Sequence, residues 1–120
     1  MKLIEEKLKK KLKLKYRRSK YYLMLTGKQR SYLKGLANSI QPILQIGKGG
    51  IDENVIVQFD EALEARELIK ATVLKNSEDD ARSSCEYIAG MTGADIVQVI
   101  GNRFVLYRES VNKKAISLPY

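Results

Sequence analysis

Histidine is absent, and with it go the commonest general base, imidazole metal sites and every Ser–His or Cys–His nucleophile pair. A single cysteine, Cys85, excludes an internal disulfide and fits a reducing cytosol. No apolar run approaches the roughly 18 residues of a membrane span. The start, Met1-Lys2-Leu3-Ile4-Glu5-Glu6-Lys7, lacks the uninterrupted apolar stretch of a signal peptide. The expectation is a cytoplasmic protein that is not an enzyme and has no cofactor, no metal, no membrane partner and no small-molecule substrate. What is present is globular: 120 residues, 44% hydrophobic and 30% charged, suit one domain that buries its core without disulfide staples.

Charge is unevenly placed. Residues 1–23 hold ten Lys/Arg and two acids, which accounts for the whole net charge of +8. Residues 24–51 carry four cations and no acid, residues 52–100 four cations and eleven acids, and residues 101–120 four cations and one acid. A neutral domain with a basic side and an acidic side presents an oriented field to a polyanion. Dispersed surface charge is the alternative.

Residues 1–23 differ in kind from the rest, with Lys-Leu alternation and a narrow stripe of Ile4, Leu8 and Leu12. They read as a basic N-terminal arm before a domain spanning 24–120. The arm is either a solvated or partly helical segment, or a stretch preceding the true start at Met24. In the second case Arg17-Arg18-Ser19 would translate a purine-rich ribosome-binding sequence.

The first regular element opens at Thr26, three residues before Gln29, the spacing of a capping box. Leu33, Leu36, Ala37 and Ile40 follow at helical intervals, with Arg30 and Lys34 to one side of that stripe. Pro42 stops the helix. Ile43 to Ile46 is a short strand, Gly47-Lys48-Gly49-Gly50 breaks it, and Asp52 can cap a second helix with a Val55, Phe59 and Leu63 core face. Leu68 to Lys75 alternates as a strand. Ser77 and Asp80 repeat the capping-box spacing before a helix bearing Ala81, Cys85, Ile88 and Ala89, which Gly93 closes. Ile96 to Ile100 is apolar enough for the centre of a sheet. Gly101-Asn102 then turns the chain into a last strand, Arg103 to Arg108. The order α-β-α-β-α-β-β predicts an α/β fold with right-handed crossovers, largely parallel pairing and one terminal antiparallel hairpin.

Gly47-Lys48-Gly49-Gly50 joins a strand to a helix N-terminus, where amide groups and the helix dipole favour an anion. Glycine lets backbone approach a phosphate closely, and Lys48 adds a charge. Steric need alone can also place glycine in such a turn. The segment is neither a Walker A loop nor a dinucleotide fingerprint, since Ile51-Asp52-Glu53 follow it. Asp60, Glu61, Glu64 and Glu67 read as a solvated helix face. Cys85 reads as core. Of the residues that could stack on bases, Tyr32, Phe104 and Tyr107, the strand alternation buries Phe104 and leaves Tyr107 the better candidate for exposure.

The strings Leu25-Thr26-Gly27-Lys28-Gln29-Arg30, Ile46-Gly47-Lys48-Gly49-Gly50, Arg66-Glu67-Leu68-Ile69-Lys70, Val97-Gln98-Val99-Ile100-Gly101 and Leu106-Tyr107-Arg108 resemble, in that order, the YhbY or CRM (chloroplast RNA splicing and ribosome maturation) domain. The resemblance runs from Met24 to about Pro119. It implies a mixed four-stranded sheet with three helices, like the C-terminal domain of translation initiation factor three, and a Gly-x-x-Gly loop implicated in RNA contact. It also implies a partner, RNA of the precursor large (50S) ribosomal subunit, including the 23S rRNA precursor. Residues 1–23 have no counterpart in compact bacterial members.

The RNA-binding residues expected on these grounds are Gly47, Lys48, Gly49, Gly50, Lys28, Arg30, Lys34 and Arg108, with Lys113-Lys114 as additions. The competing reading is a protein-interaction module that docks Asp60, Glu61 and Glu64 on basic ribosomal proteins. Deleting residues 1–23 should leave a cooperative thermal unfolding transition, because the capped helix begins only at Thr26. The deletion should also flatten the dependence of log affinity on log salt, by about 0.7 for each phosphate the arm neutralises on single strands. A truncated chain that does not unfold cooperatively would make the arm part of the fold.

Overall fold

The computed structural model describes residues 25–120. The readings made on residues 1–24, the arm and the alternative start, lie outside them. Helix α1 (Gly27–Ala37) starts where the spacing places it. The Thr26 hydroxyl accepts the Gln29 amide N–H at 3.1 Å, and the Gln29 side chain accepts the Thr26 amide N–H at 3.1 Å. Strand β1 (Leu44–Ile46) leads through the glycine turn to α2 (Glu53–Arg66), whose first turn donates the Val55 N–H to the Asp52 carboxylate at 2.9 Å. Strand β2 (Leu68–Val73), helix α3 (Ala81–Thr92), strand β3 (Asp95–Ile100) and strand β4 (Arg103–Tyr107) complete the chain. Asp80, not Ser77, caps α3, accepting the Ser83 N–H at 2.8 Å. The chain bends at 78–79 before the helix starts, so Ser77 stays outside it. Gly93 closes α3 at φ 75, and Gly101 opens the hairpin at φ 57, both in the left-handed region where a side chain is strained.

The sheet has the order β1-β2-β4-β3. Strands β1, β2 and β3 run the same way, as alternating strands and helices require. The pairing differs from the expectation: β4 inserts between β2 and β3, so only β1–β2 is parallel and both other pairs are antiparallel. That insertion also moves β3 from the expected centre to an edge, where Ile100 is 62% exposed. The apolar run of β3 reflects packing on both faces, with Val97 meeting the α1 side and Ile96 and Val99 the other. The interior strands are β2 and β4, and in β4 every residue after Arg103 is buried.

Helices lie on both faces. Helices α2 and α3 cover one, burying Phe59, Leu63, Cys85 and Ile88 against Ile69, Ala71, Val73, Phe104 and Leu106. Phe59 stacks on Phe104 with ring centroids 5.9 Å apart. Helix α1 covers part of the other face, packing Leu33 and Ala37 on Leu68, Val97, Val105 and Tyr107, with Ile116 and Leu118 of the C-terminal segment alongside.

Candidate nucleic-acid interface

The glycine segment folds as one tight turn. The Gly50 N–H donates to the Gly47 carbonyl at 3.0 Å, which leaves Lys48 and Gly49 at the exposed tip. The fold requires glycine at one of the three positions and tolerates a side chain at the other two. Gly50 has φ +70, a conformation a side chain strains. A side chain at Gly47 would touch Leu74 at 3.5 Å, which is ordinary contact. At Gly49 nothing lies within 4 Å and φ is not positive, so the fold itself makes no demand for glycine there. The helix N-terminus beyond the turn is not the open anion site its position suggests. Asp52 already places a carboxylate on the first turn of α2, and Glu53 stands beside it. The turn can therefore attract a phosphate through Lys48 and unhindered backbone, not through the helix dipole.

Lys28 and Lys34 are exposed on α1. Arg30 is only half-exposed, and its Nε donates to the Ile96 carbonyl at 3.3 Å on the edge strand. Its charge also opposes the burial of Asp95, whose carboxyl is nonetheless pushed up to about 6. Lys34, one helical turn on from Arg30, shares that flank. Lys70 and Arg103, which sequence reasoning did not select, project from the sheet face that carries α1; the strand register sets them opposite Val105 and Thr72. Only the alternation of β2 and β4, referred to a known helix position, could have signalled them. The opposite face is acidic: segments 52–67 and 78–92 hold ten of the twelve acids in 25–120 and two of the twelve cations. The sheet thus separates the charges that the sequence merely segregates.

Several residues expected at the surface are inside. Arg108 is 1% exposed and cannot extend the basic surface. Its Nη1 donates to Asp60 Oδ1 at 2.9 Å and to the Thr92 carbonyl at 2.8 Å, and its Nη2 donates to the Asp60 carbonyl at 3.0 Å. Asp60 is correspondingly buried, so the face of α2 is not uniformly solvated. Glu67 is fully buried and holds φ 65, unusual for a residue other than glycine. Its carboxylate accepts the amide N–H groups of Ser110, Ala115 and Ile116 at 2.8, 2.8 and 2.7 Å. Glu64 accepts the Ser110 hydroxyl and the amides of Val111 and Asn112. Burial raises its pKa, but those hydrogen bonds and the nearby Arg108 outweigh that and hold the carboxyl below its ordinary range. Acids assigned to a wet face thus tie the C-terminal segment to α2.

Tyr107 is 2% exposed because α1 covers the face that alternation gives it, and burial raises its hydroxyl pKa. Tyr32, at 43% exposure, is the accessible aromatic of the three considered. Cys85 is core, and burial pushes its thiol up to about 12. Lys113 and Lys114 are exposed, Lys114 pairing with Glu109 at 3.1 Å. Among the described residues no helix is long and apolar enough to cross a membrane.

The architecture defines a small α/β domain with helices on both faces of one mixed sheet and a Gly-x-x-Gly turn at its end. The model of the CRS1/YhbY (CRM) domain matches residues 25–108, and the chain belongs to that family. It is 50% identical over 96 residues to Bacillus subtilis YqeI, named a probable RNA-binding protein, covering 80% of this chain and all of that one. A Haemophilus influenzae protein named an RNA-binding protein is 38% identical over 95 residues, 79% of this chain and 95% of its own. The solution structure of the hypothetical protein SAV1595 from Staphylococcus aureus superposes with a TM-score of 0.67 at 55% identity, covering 80% of this chain and 100% of that one.

Proposed function

We propose that this chain is an RNA-binding protein that associates in the cytoplasm with ribosomal RNA of the precursor large (50S) subunit during ribosome assembly, and that it catalyses no reaction. The observation that carries this reading is the one-sided charge: α1 has no acid, and it shares a sheet face with Lys70 and Arg103. Lys48 sits at the tip of the glycine turn. The names of the relatives support RNA as the polyanion, and the resemblance to free-standing bacterial members supports the precursor large subunit.

The mechanism is positional. Lys48, Lys28 and Lys34 neutralise backbone phosphates and release counterions, and such contacts orient a protein without reading sequence. Arg30, anchored to β3, lends its charge to that side. The reading in which the acidic side docks on basic ribosomal proteins is weakened, since Asp60 and Glu64 are engaged inside the fold and only Glu61 of its three residues is exposed.

Ultraviolet crosslinking in cells, with sequencing of the bound RNA and mapping of the crosslinked peptides, tests the proposal. The expected result is enrichment of the 23S rRNA precursor, with crosslinks on the peptide containing Lys48. Crosslinks confined to α2, or RNA unrelated to the large subunit, would overturn it.

A further inference from the structure

Helix α1 does not cover its whole sheet face. Beyond Val105 the register aligns Gln45 with Thr72, Thr72 with Arg103, and Arg103 with Ile100, one residue from each strand. Behind that row lie Lys70 and Gln98, both opposite Val105 on β4. Gln45, Arg103 and Ile100 are exposed, and Lys70, Thr72 and Gln98 half-exposed. These six positions carry two cations, two amides, a hydroxyl and an apolar side chain, and no acid.

On an otherwise polar strip the apolar Ile100 is 62% exposed and belongs to neither core cluster of the described residues. The strip also continues directly into the glycine turn. Only Ile46 separates Gln45 from Gly47, and the Leu74 N–H donates to the Ile46 carbonyl at 2.8 Å where β1 ends.

Resting on the RNA-binding reading, we propose that the open sheet end is a platform for single-stranded RNA, whose backbone passes over the Lys48 turn. The chemistry favours single strands over duplex. Duplex RNA is recognised by phosphates and 2′-hydroxyls, whereas unpaired bases need a flat surface and groups for their edges. Three inter-strand gaps of about 4.8 Å give a width of about 14 Å. A four-stranded sheet of that kind takes two or three bases. Here no aromatic occupies the row; the Arg103 guanidinium plane and Ile100 supply the stacking surface, while Gln45, Thr72 and Gln98 offer donors and acceptors to base edges. Lys70 and Arg103 supply the charge complementarity.

Fluorescence anisotropy with labelled oligouridine, and with the same strand annealed to oligoadenosine, tests this on the full chain. The parent should prefer the single strand. Gln45→Ala combined with Arg103→Ala should weaken single-strand binding about tenfold or more, the scale of one lost stacking contact. Arg82→Ala, which removes one exposed cation from the opposite side, should change it less than about twofold, the scale of a dispersed surface charge. Thermal unfolding of each variant establishes that it is folded. If the paired sheet variant binds like the parent, or if the duplex is preferred, the platform is wrong. A turn variant that still loses affinity would then leave the RNA-binding reading standing. A parent that binds neither probe would overturn both.

Discussion

Replacing Lys48 and Gly49 with aspartate should weaken binding of a large-subunit RNA fragment tenfold or more and leave the thermal unfolding transition where it is. The fold tolerates the change because Lys48 is exposed, a Cβ at Gly49 would meet no described residue beyond its chain neighbours within 4 Å, and its backbone is outside the left-handed region. Binding suffers three times over: a cation is lost, two negative charges are added, and a side chain stands where backbone must approach phosphate. One charge-assisted contact is worth roughly 1.5–3 kcal/mol, and about 1.4 kcal/mol is a factor of ten. Repulsion adds to that. Gly50→Ala gives the contrasting result, since φ +70 strains any side chain, and it should lower stability by about 1 kcal/mol or more. As a control, Glu61→Gln with Glu86→Gln on the acidic helices should leave affinity unchanged or slightly higher. Titration of the fragment at fixed salt decides the matter. A turn variant that binds like the parent, beside an acidic-side variant that fails, would hand the function to the protein-docking surface.

Arg108→Ala should be the most destabilising single change among the residues considered, by about 3–5 kcal/mol, the usual cost of removing one partner of a buried ion pair. It leaves Asp60 buried without its guanidinium and strips a donor from the Thr92 carbonyl. Against the 5–15 kcal/mol of a typical domain (about 10 as a working value), that is a large fraction. Urea unfolding followed by circular dichroism measures it. Replacing both partners together, Asp60→Leu with Arg108→Met, should recover much of the loss, because a paired apolar substitution leaves no stranded charge. A variant Arg108→Ala that unfolds within about 1 kcal/mol of the parent, the scale of an exposed pair, but loses RNA binding would return Arg108 to the interface.

These two expectations mark where sequence reasoning ends. Lys48 and Arg108 are both cations inside family-like strings, and nothing in either string says that one faces water and the other a carboxylate on α2. The partner of Arg108 is 48 residues away, so the pair is set by how α2 packs on the sheet. Glu64 and Glu67 pose the same problem. Their spacing suits a wet helix face, and only the return of the C-terminal segment supplies the amides that engage both carboxylates and the cover that buries Glu67. Tyr107 is buried against the expectation for a related reason: alternation distinguishes two faces of a strand without saying which of them a helix covers.

What the sequence determined by itself is local. The caps at Thr26 and Asp52, the left-handed closures at Gly93 and Gly101 and the glycine turn follow from side chains within a few residues of each other. The common direction of the first three strands follows from the alternation of strands with helices. The tertiary structure decided the rest. It placed β4 between β2 and β3, put every α1 cation on one side of the sheet and most acids on the other, and aligned Gln45, Thr72, Arg103 and Ile100 in one row. The physical reason is that capping and turn formation are satisfied within a single stretch of chain. Strand order and burial of charge depend on which distant segments exclude water from one another.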